Sequence, residues 1–281
     1  MLRILCDSTC DLPQSLLEQY HITVLPHIVV WGSQQFRDRV DLQPDEFYRR
    51  LEQDPRPPTT STISQLDFFR AYQHLQAEGA DEILALLVNS AFSAAYQNAF
   101  TAGQQMDFPV HVFDSRSTTG GLGLLVLAAA RLCAEGAGAE QILARLEDIR
   151  NRLYLYVCLD TLEYVEKGGR IGKAARLIGT LLQIKPILDV NARSGEVIDI
   201  ATTRTHRRAV EEFTRRFFQV VDPNRPFRVL LTHGGVPLEA AQLAERIQAE
   251  YHPLEVLTNI TGPVLGINTG PRALALAGYN E

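Results

Sequence analysis

The sequence predicts an α/β fold in which a parallel sheet is covered by helices on both faces. Continuously apolar segments of strand length alternate with helical segments through the first half of the 281 residues. Strands that are buried on both faces need such runs, and parallel strands need helical crossovers. The second half has a different pattern, in which two strand-like segments flank a turn and predict a hairpin. We therefore predict an N-terminal parallel-sheet α/β domain over residues 1–150 and a second α/β domain with a mixed sheet over residues 151–281.

Three strand–loop–helix units make up most of the first half. Each predicted strand ends in Asp or Asn followed by hydroxyl side chains, and a helix comes next. The strands are Leu2–Cys6, Ile83–Val88 and Val110–Phe113, and their helices begin near Pro13, run through Tyr96 and Phe100, and span Leu122–Cys133. Because sheets of this kind bind ligands beyond the carboxyl ends of their strands, the hydroxyl-rich loops are the predicted binding edge.

Hydroxyl residues are densest after the proline-rich segment 54–58, where residues 59–64 include five of them in six positions. Ser64 and Asp67 have the spacing of a capping box, so a helix is predicted to follow. Ser93 similarly precedes the next helix. Most such residues cap helices, but the N-terminal amides of a helix also favour negative charge. We predict that three hydroxyl side chains converge on one anion: Thr60, Ser61 and Ser93.

The second half is predicted to mix strands and helices. They are the strand Leu153–Leu159, a hairpin of Ile187–Val190 and Val197–Thr202, the helix Arg207–Val220, the strand Arg228–Thr232 and the helix Leu238–Tyr251. Before the hairpin lies the segment Gly168–Lys173, followed by an apolar helix predicted over Ala174–Ile184. Its adjacent glycines allow a sharp turn, and Arg170 and Lys173 on that turn suit an anionic partner. The glycine spacing and the Ser or Thr of a phosphate loop are missing.

Composition excludes several classes of function. The net charge of −6 provides no global basic field for nucleic acid. The four cysteines and seven histidines lack the spacing of metal ligands, so we expect no metal and no other cofactor. No signal peptide is evident, and the longest apolar stretch, Leu122–Ala130, is too short to span a bilayer. We expect a reduced, soluble, cytoplasmic protein.

An ordered set of motifs along nearly the whole chain resembles the DegV family of bacterial fatty-acid-binding proteins. The matching segments are Asp7–Pro13, Thr60–Ser61, Ser90–Ser93 with Tyr96, Asp114–Ser115 with Gly121 and Gly123, Thr161–Leu188, Arg204–Thr205 and Gly266–Pro271. The resemblance implies one long-chain fatty acid, such as palmitate, held in a buried tunnel between the two domains for lipid transport or fatty acid metabolism. It implies no catalytic activity of the protein's own.

The resemblance also implies roles for single residues. Family members bind the acyl carboxylate with Thr or Ser at the positions of Thr60 and Ser61 and with Ser at Ser93, and the chain's last residues return to this site. Several members are the lipid-carrying subunit of a fatty acid kinase and present the carboxylate to a separate ATP-binding partner. The residues that would dock this partner are Arg170, Lys173 and Arg204.

Four departures from the family pattern stand out. Asn268, which would stand near the carboxylate, replaces a usual His; it can donate a hydrogen bond but carries no charge at neutral pH. Thr62–Ile63 replaces Gln-Pro, Ala94–Ala95 replaces Gly-Thr, and Arg272 replaces a small glycine. These changes bear on the kinase role more than on lipid binding.

The residues leave two alternatives. One is a regulatory interaction protein in which a bound lipid is only structural, and the other is an enzyme that acts on a small phosphorylated or carboxylated metabolite at the strand ends. It would use Asp7, Asp114 or His233, and the carboxylates of Asp7, Asp114 and Asp160 could bind Mg²⁺. The same carboxylates are more typical of loop caps. The enzyme needs an open polar cleft, whereas the lipid carrier needs a closed apolar tunnel.

Overall fold

A computed structural model describes residues 1–177 and 184–281 of the protein. In these residues the strands are β1 (Leu2–Asp7), β2 (Thr23–Leu25), β3 (Ile28–Trp31), β4 (Gln34–Arg37), β5 (Thr59–Ser61), β6 (Glu82–Leu87), β7 (Val110–Asp114), β8 (Tyr154–Cys158), β9 (Lys185–Asn191), β10 (Glu196–Thr203), β11 (Phe227–His233), β12 (Glu255–Ile260) and β13 (Leu274–Asn280). The α-helices are α1 (Gln14–Gln19), α2 (Pro44–Gln53), α3 (Gln65–Ala77), α4 (Ala95–Gly103), α5 (Thr119–Ala134), α6 (Ala139–Arg152), α7 (Glu163–Gly168), α8 (His206–Val220), α9 (Pro237–Tyr251) and α10 (Pro263–Thr269). Two 3₁₀ helices cover Ser8–Cys10 and Gly172–Leu177.

The predicted parallel sheet is confirmed. Its strands lie in the order β2-β1-β6-β7, and every neighbouring pair is parallel. Cys6 of β1 pairs with both Val24 and Leu86, so the carboxyl ends of the strands lie at one edge of the sheet. The capping box that was predicted for Ser64 and Asp67 is also present, at the start of α3.

The second half forms the predicted mixed sheet. Its described strands lie in the order β10-β9-β8-β13-β11-β12; β11 and β12 are parallel, and the other neighbouring pairs are antiparallel. The predicted hairpin is β9–β10, with a register shift between Asp199 and Ala201. Of the apolar helix predicted over Ala174–Ile184, residues 174–177 belong to a 3₁₀ helix, Ile184 directly precedes β9 and is not helical, and residues 178–183 lie outside the described residues.

Helix α5 lies between the two sheets, and its side chains join one face of each sheet in a common core. Helices α3 and α4 cover the other face of the first sheet, and α8 and α9 cover the other face of the second. A Cβ atom at Gly123 would lie 2.4 Å from the carbonyl oxygen of Cys10, so only glycine lets α5 approach so closely. Because α5 packs on both sheets, the domain boundary near residue 150 stays a prediction.

A third, antiparallel sheet in the order β4-β3-β5 was not predicted. Residues 59–64 were interpreted as the hydroxyl-rich approach to a helix, but Thr59–Ser61 form β5 and pair with β3. Strands of three or four residues show too little alternation to be recognised. No helix in residues 1–177 or 184–281 has the length and apolar character needed to cross a membrane.

Candidate functional site

A cavity of about 640 Å³ opens where the carboxyl edge of the first sheet meets one face of the second. Strand β5 and helices α7 and α10 complete its walls. Ligand pockets in proteins commonly measure about 300–1,000 Å³. The cavity therefore has the size of a site for one small molecule.

Most of the cavity wall is apolar. Strands of the second sheet contribute Val157, Leu188, Val190, Val197 and Ala275, the residues next to two strand ends contribute Leu159 and Ala273, and the covering helices contribute Val165, Val264 and Leu265. Their side chains are aliphatic and carry no hydrogen-bonding group. The strand side chains come from β8, β9, β10 and β13, which are neighbours in one sheet, so they form a continuous surface that fits a hydrocarbon chain.

Hydroxyl groups are concentrated where β5 meets the loop that follows β6. The cavity-lining hydroxyl residues there are Thr60, Ser61, Thr62, Ser90 and Ser93, and those from other segments are Thr9, Thr118, Thr119, Thr261 and Thr269. The Oγ1 atom of Thr62 and the Oγ atom of Ser93 are 2.8 Å apart. Ser93 Oγ also accepts a hydrogen bond from the backbone N–H of Ala95, the first residue of α4. This pair of hydroxyls can orient one oxygen-bearing group of a ligand.

The structure brings the predicted hydroxyl groups together and adds one that the sequence reasoning missed. Thr60, Ser61 and Ser93 all line the cavity, but the side chain that bonds to Ser93 is that of Thr62. Side chains alternate between the faces of a strand, so Thr60 and Thr62 share a face. Recognising β5 as a strand would have indicated Thr62.

Asn268 also lines the cavity, from helix α10. Its Nδ2 donates to the backbone oxygen of Val264 at 3.0 Å, within the same helix. A Cβ atom at Gly168 would lie 2.1 Å from Asn268 Oδ1, so the Asn268 amide occupies the space that the missing side chain of this glycine leaves. Gly169, at φ 70°, supplies the left-handed residue that ends α7.

The three predicted docking residues do not lie together. Arg170 lines the cavity and is exposed, and its guanidinium donates to the backbone oxygens of Gly168 at 2.7 Å and Phe92 at 3.4 Å. Lys173 pairs with Glu196 at 2.8 Å, at the start of β10. Arg204 follows the opposite end of β10, which is roughly 25 Å long by the usual rise per residue.

The carboxylates that the alternative enzyme would use are bonded to donor groups of the protein itself. Asp114 accepts from the backbone and hydroxyl of Ser90, and Asp160 pairs with Lys185 at 2.7 Å. In the described parts of the chain, no group of three or more His, Cys, Asp or Glu residues is placed to hold a metal ion. His233 accepts from the backbone N–H of Val236, and burial lowers its pKa.

Comparisons with known proteins agree with this architecture. A family model described as "uncharacterised protein, DegV family" matches residues 1–281. A DegV domain-containing protein of Clostridium acetobutylicum is 32% identical to this chain over 285 aligned positions, which cover 99% of this chain and 98% of that protein.

Solved structures with the same fold include proteins that bind lipid. A DegV family protein from Thermus thermophilus, described as fatty acid binding, superposes with a TM-score of 0.91 at 31% identity, and the match covers 100% of this chain and 99% of the other. DegV of Bacillus subtilis, described as a fatty acid binding protein, has a TM-score of 0.91 at 26% identity and the same coverage.

Proposed function

The chain belongs to the DegV family, and from that membership and the cavity we propose that it binds one long-chain fatty acid, such as palmitate. The observation that carries the proposal is a cavity whose wall is aliphatic and whose hydroxyl groups cluster around Thr62 and Ser93. A fatty acid has the same division into a long apolar chain and one polar group. The protein would hold the lipid for transport or fatty acid metabolism and perform no catalytic step of its own.

The acyl chain would supply most of the affinity. About 15 buried methylene groups at roughly 0.8 kcal/mol each give about 12 kcal/mol before the costs of association. Each hydrogen bond to a carboxylate adds only about 1.5–3 kcal/mol, and desolvation of the carboxylate opposes this gain. The aliphatic wall therefore determines how tightly the ligand is held, and the polar groups determine its orientation.

We assign the carboxylate to the hydroxyl end of the cavity. Ser93 and one or both of Thr60 and Ser61 would donate to its oxygens, as the family resemblance implies, and Thr62 belongs to the same cluster. Asn268 would stand near the carboxylate, although its Nδ2 donates to the backbone oxygen of Val264.

The experiment that tests the proposal is extraction of the purified protein, with mass spectrometry of the extract and of the intact protein under native conditions. We expect one fatty acid per chain. The Ser93→Ala variant should keep the acyl chain but bind it about tenfold more weakly, because one hydrogen bond to a charged group is lost.

Ser15→Ala is the matched control, because Ser15 is exposed on α1, a helix that contributes no residue to the cavity wall. A protein that carries no lipid and takes up neither palmitate nor oleate would refute the proposed function. Wild-type affinity in Ser93→Ala would refute the carboxylate assignment alone.

We further propose that the cavity mouth presents the carboxylate to an ATP-binding kinase subunit in the cytoplasm. Arg170 supports this role, because it is exposed, lies on the cavity wall and forms no ion pair with the described residues. Lys173 and Arg204 would extend the contact along β10.

Arg170→Ala, saturated with palmitate, should therefore form a complex with a kinase subunit that is weaker by about tenfold or more, as measured by sedimentation. Lys167→Ala is the control, since Lys167 is paired with Glu163 on the exposed side of α7. Equal binding of the kinase subunit to both variants would contradict the docking role.

A further inference from the structure

A histidine that no motif singled out lies in the cavity wall. His27 connects β2 to β3, lines the cavity and is only 3% exposed. Its Nε2 atom has no hydrogen-bond partner among residues 1–177 and 184–281. The Nε2 atom is enclosed by protein, so the ring must turn slightly toward the cavity before a ligand oxygen can meet it. Such a contact would remove the cost of about 1–3 kcal/mol that a buried polar group without a partner carries.

The neighbouring carboxylate does not fill this need. Asp7 Oδ1 lies 3.6 Å from His27 Nε2, which is too far for a hydrogen bond. The Asp7 oxygens instead accept from the backbone and hydroxyl of Thr9 and from the backbone N–H of Val88. Asp7 therefore contributes negative charge beside the ring while the ring nitrogen keeps its hydrogen-bonding capacity.

The charged groups around the ring favour its protonated form. Burial by itself lowers the pKa of His27, but Asp7, Asp38 and the backbone oxygen of Ser61 raise it, and the net pKa lies above the usual value. Asp38 lies beyond Ser8, whose hydroxyl donates to it at 2.7 Å, and burial raises the pKa of Asp38 to about 6.

Two further charges belong to this buried cluster, Arg39 and Asp11, and they neutralise each other at 2.5 Å. Because Arg39 is paired with Asp11, no other basic residue of the cluster compensates the negative charge of Asp7 beside His27. A protonated ring is the state that these surroundings stabilise.

His27 lies at the same end of a strand pairing as the hydroxyl pair. Ile28 of β3 pairs with Ser61 of β5, so His27 and Thr62 are the residues just beyond this end of the pairing. His27, Thr62 and Ser93 all line the cavity. Because Thr62 is bonded to Ser93, the three side chains combine two neutral hydroxyls with one ionisable donor.

We propose that His27 is a ligand-binding residue of this cavity, whose imidazolium donates to the ligand carboxylate and gives the protein its preference for an ionised acid over a neutral lipid. This inference rests on the proposed fatty acid binding and adds its head-group chemistry. The imidazolium attracts the carboxylate only while the ring is protonated. Affinity is therefore highest below the pKa of His27 and falls as the pH rises through it.

The test compares palmitate and 1-hexadecanol as ligands of the delipidated protein between about pH 6 and pH 9. Wild-type affinity for palmitate should fall by about tenfold or more over this range, and affinity for the alcohol should stay constant. His27→Gln should bind palmitate weakly throughout and bind the alcohol like the wild type. His74→Gln, at an exposed position of α3, should match the wild type.

Asp38 is present in both proteins, so the difference between their profiles isolates His27. An unchanged palmitate profile in His27→Gln, or a flat wild-type profile, would overturn the inference while lipid binding stands. Failure of the wild type to bind either ligand would refute the proposed function itself. A second measurement avoids any folding defect of the variant: in the unsubstituted protein, palmitate should raise the pKa of one histidine ring in an NMR titration, and no change would count against His27.

Discussion

Replacing Ala275 by phenylalanine should lower the affinity for palmitate by about a hundredfold. Ala275 pairs with Val157 in the second sheet, and both side chains line the aliphatic wall of the cavity. A benzyl group there would occupy the space of about four methylene groups, and each buried methylene contributes roughly 0.8 kcal/mol. The loss of about 3 kcal/mol corresponds to about two orders of magnitude in the dissociation constant.

The same substitution should change which chain length binds best. Decanoate leaves part of the cavity empty in the wild type, so it should lose much less affinity than palmitate in Ala275→Phe. Ala275→Leu should give an intermediate loss, because its side chain removes less volume. Titration calorimetry with delipidated protein measures both ligands.

Ala249→Phe is the matched control, since Ala249 is exposed on α9 and should show wild-type binding. Thermal unfolding of each variant separates loss of the cavity from loss of the fold. Wild-type affinity and wild-type chain-length preference in a folded Ala275→Phe protein would contradict the placement of the acyl chain along the second sheet.

The parts of this architecture that the sequence predicts are those with a local pattern. Short continuous apolar runs such as Ile83–Val88 are typical of strands covered on both faces, and the helix over Leu122–Cys133 has the length and composition of a buried one. Ser93 could be assigned to the binding edge because it follows a predicted strand of the parallel sheet and precedes a helix.

The parts that the sequence does not predict depend on contacts between distant segments. Strand β5 is identified as a strand only by its pairing with β3, because three hydroxyl residues after prolines also resemble a loop. His27 enters the site through the same pairing. Nothing near position 27 in the sequence indicates that Asp7 and Asp38 will surround it, since both lie more than ten residues away.

The basic residues likewise show that the sequence does not predict which distant segments come together. Arg170 and Lys173 are close in sequence, and Arg204 joined them through the family resemblance. In the structure Lys173 is engaged by Glu196, whereas Arg204 lies beyond the other end of β10. A motif gives the order of its residues along the chain, but the sheet register decides which of them can act on one partner.

The stability of the binding edge should depend strongly on Asp11. Its side chain is almost fully buried and accepts hydrogen bonds from Arg39 at 2.5 Å, the Thr119 hydroxyl at 2.6 Å and the backbone N–H of Gly262 at 2.9 Å. These donors belong to the loop after β4, the start of α5 and the residue before α10. One carboxylate thus connects three segments that are distant in sequence.

We expect Asp11→Ala to lower the free energy of unfolding by about 3–5 kcal/mol, because Arg39 would become a largely buried cation without its partner. The positive φ of 48° adds a cost, since Asp tolerates this conformation better than Ala does. Asp11→Asn should lose less, because an amide oxygen still accepts from Gly262 and Asn also tolerates a positive φ. Urea unfolding measures all three proteins.

Asp41→Ala is the matched control, because Asp41 forms an exposed ion pair with Arg37 and such pairs contribute about 1 kcal/mol or less. Equal stabilities of Asp11→Ala and Asp41→Ala would show that Asp11 does not hold the three segments together.

Helix α10 supplies Val264 and Asn268 to the cavity, so loosening its first turn should also weaken acyl binding. Since a ligand that binds only the folded state stabilises that state, saturating palmitate should restore part of the lost stability of Asp11→Ala. A smaller gain of stability from palmitate in Asp11→Ala than in the wild type would link the buried carboxylate at the edge of the parallel sheet to the proposed lipid site.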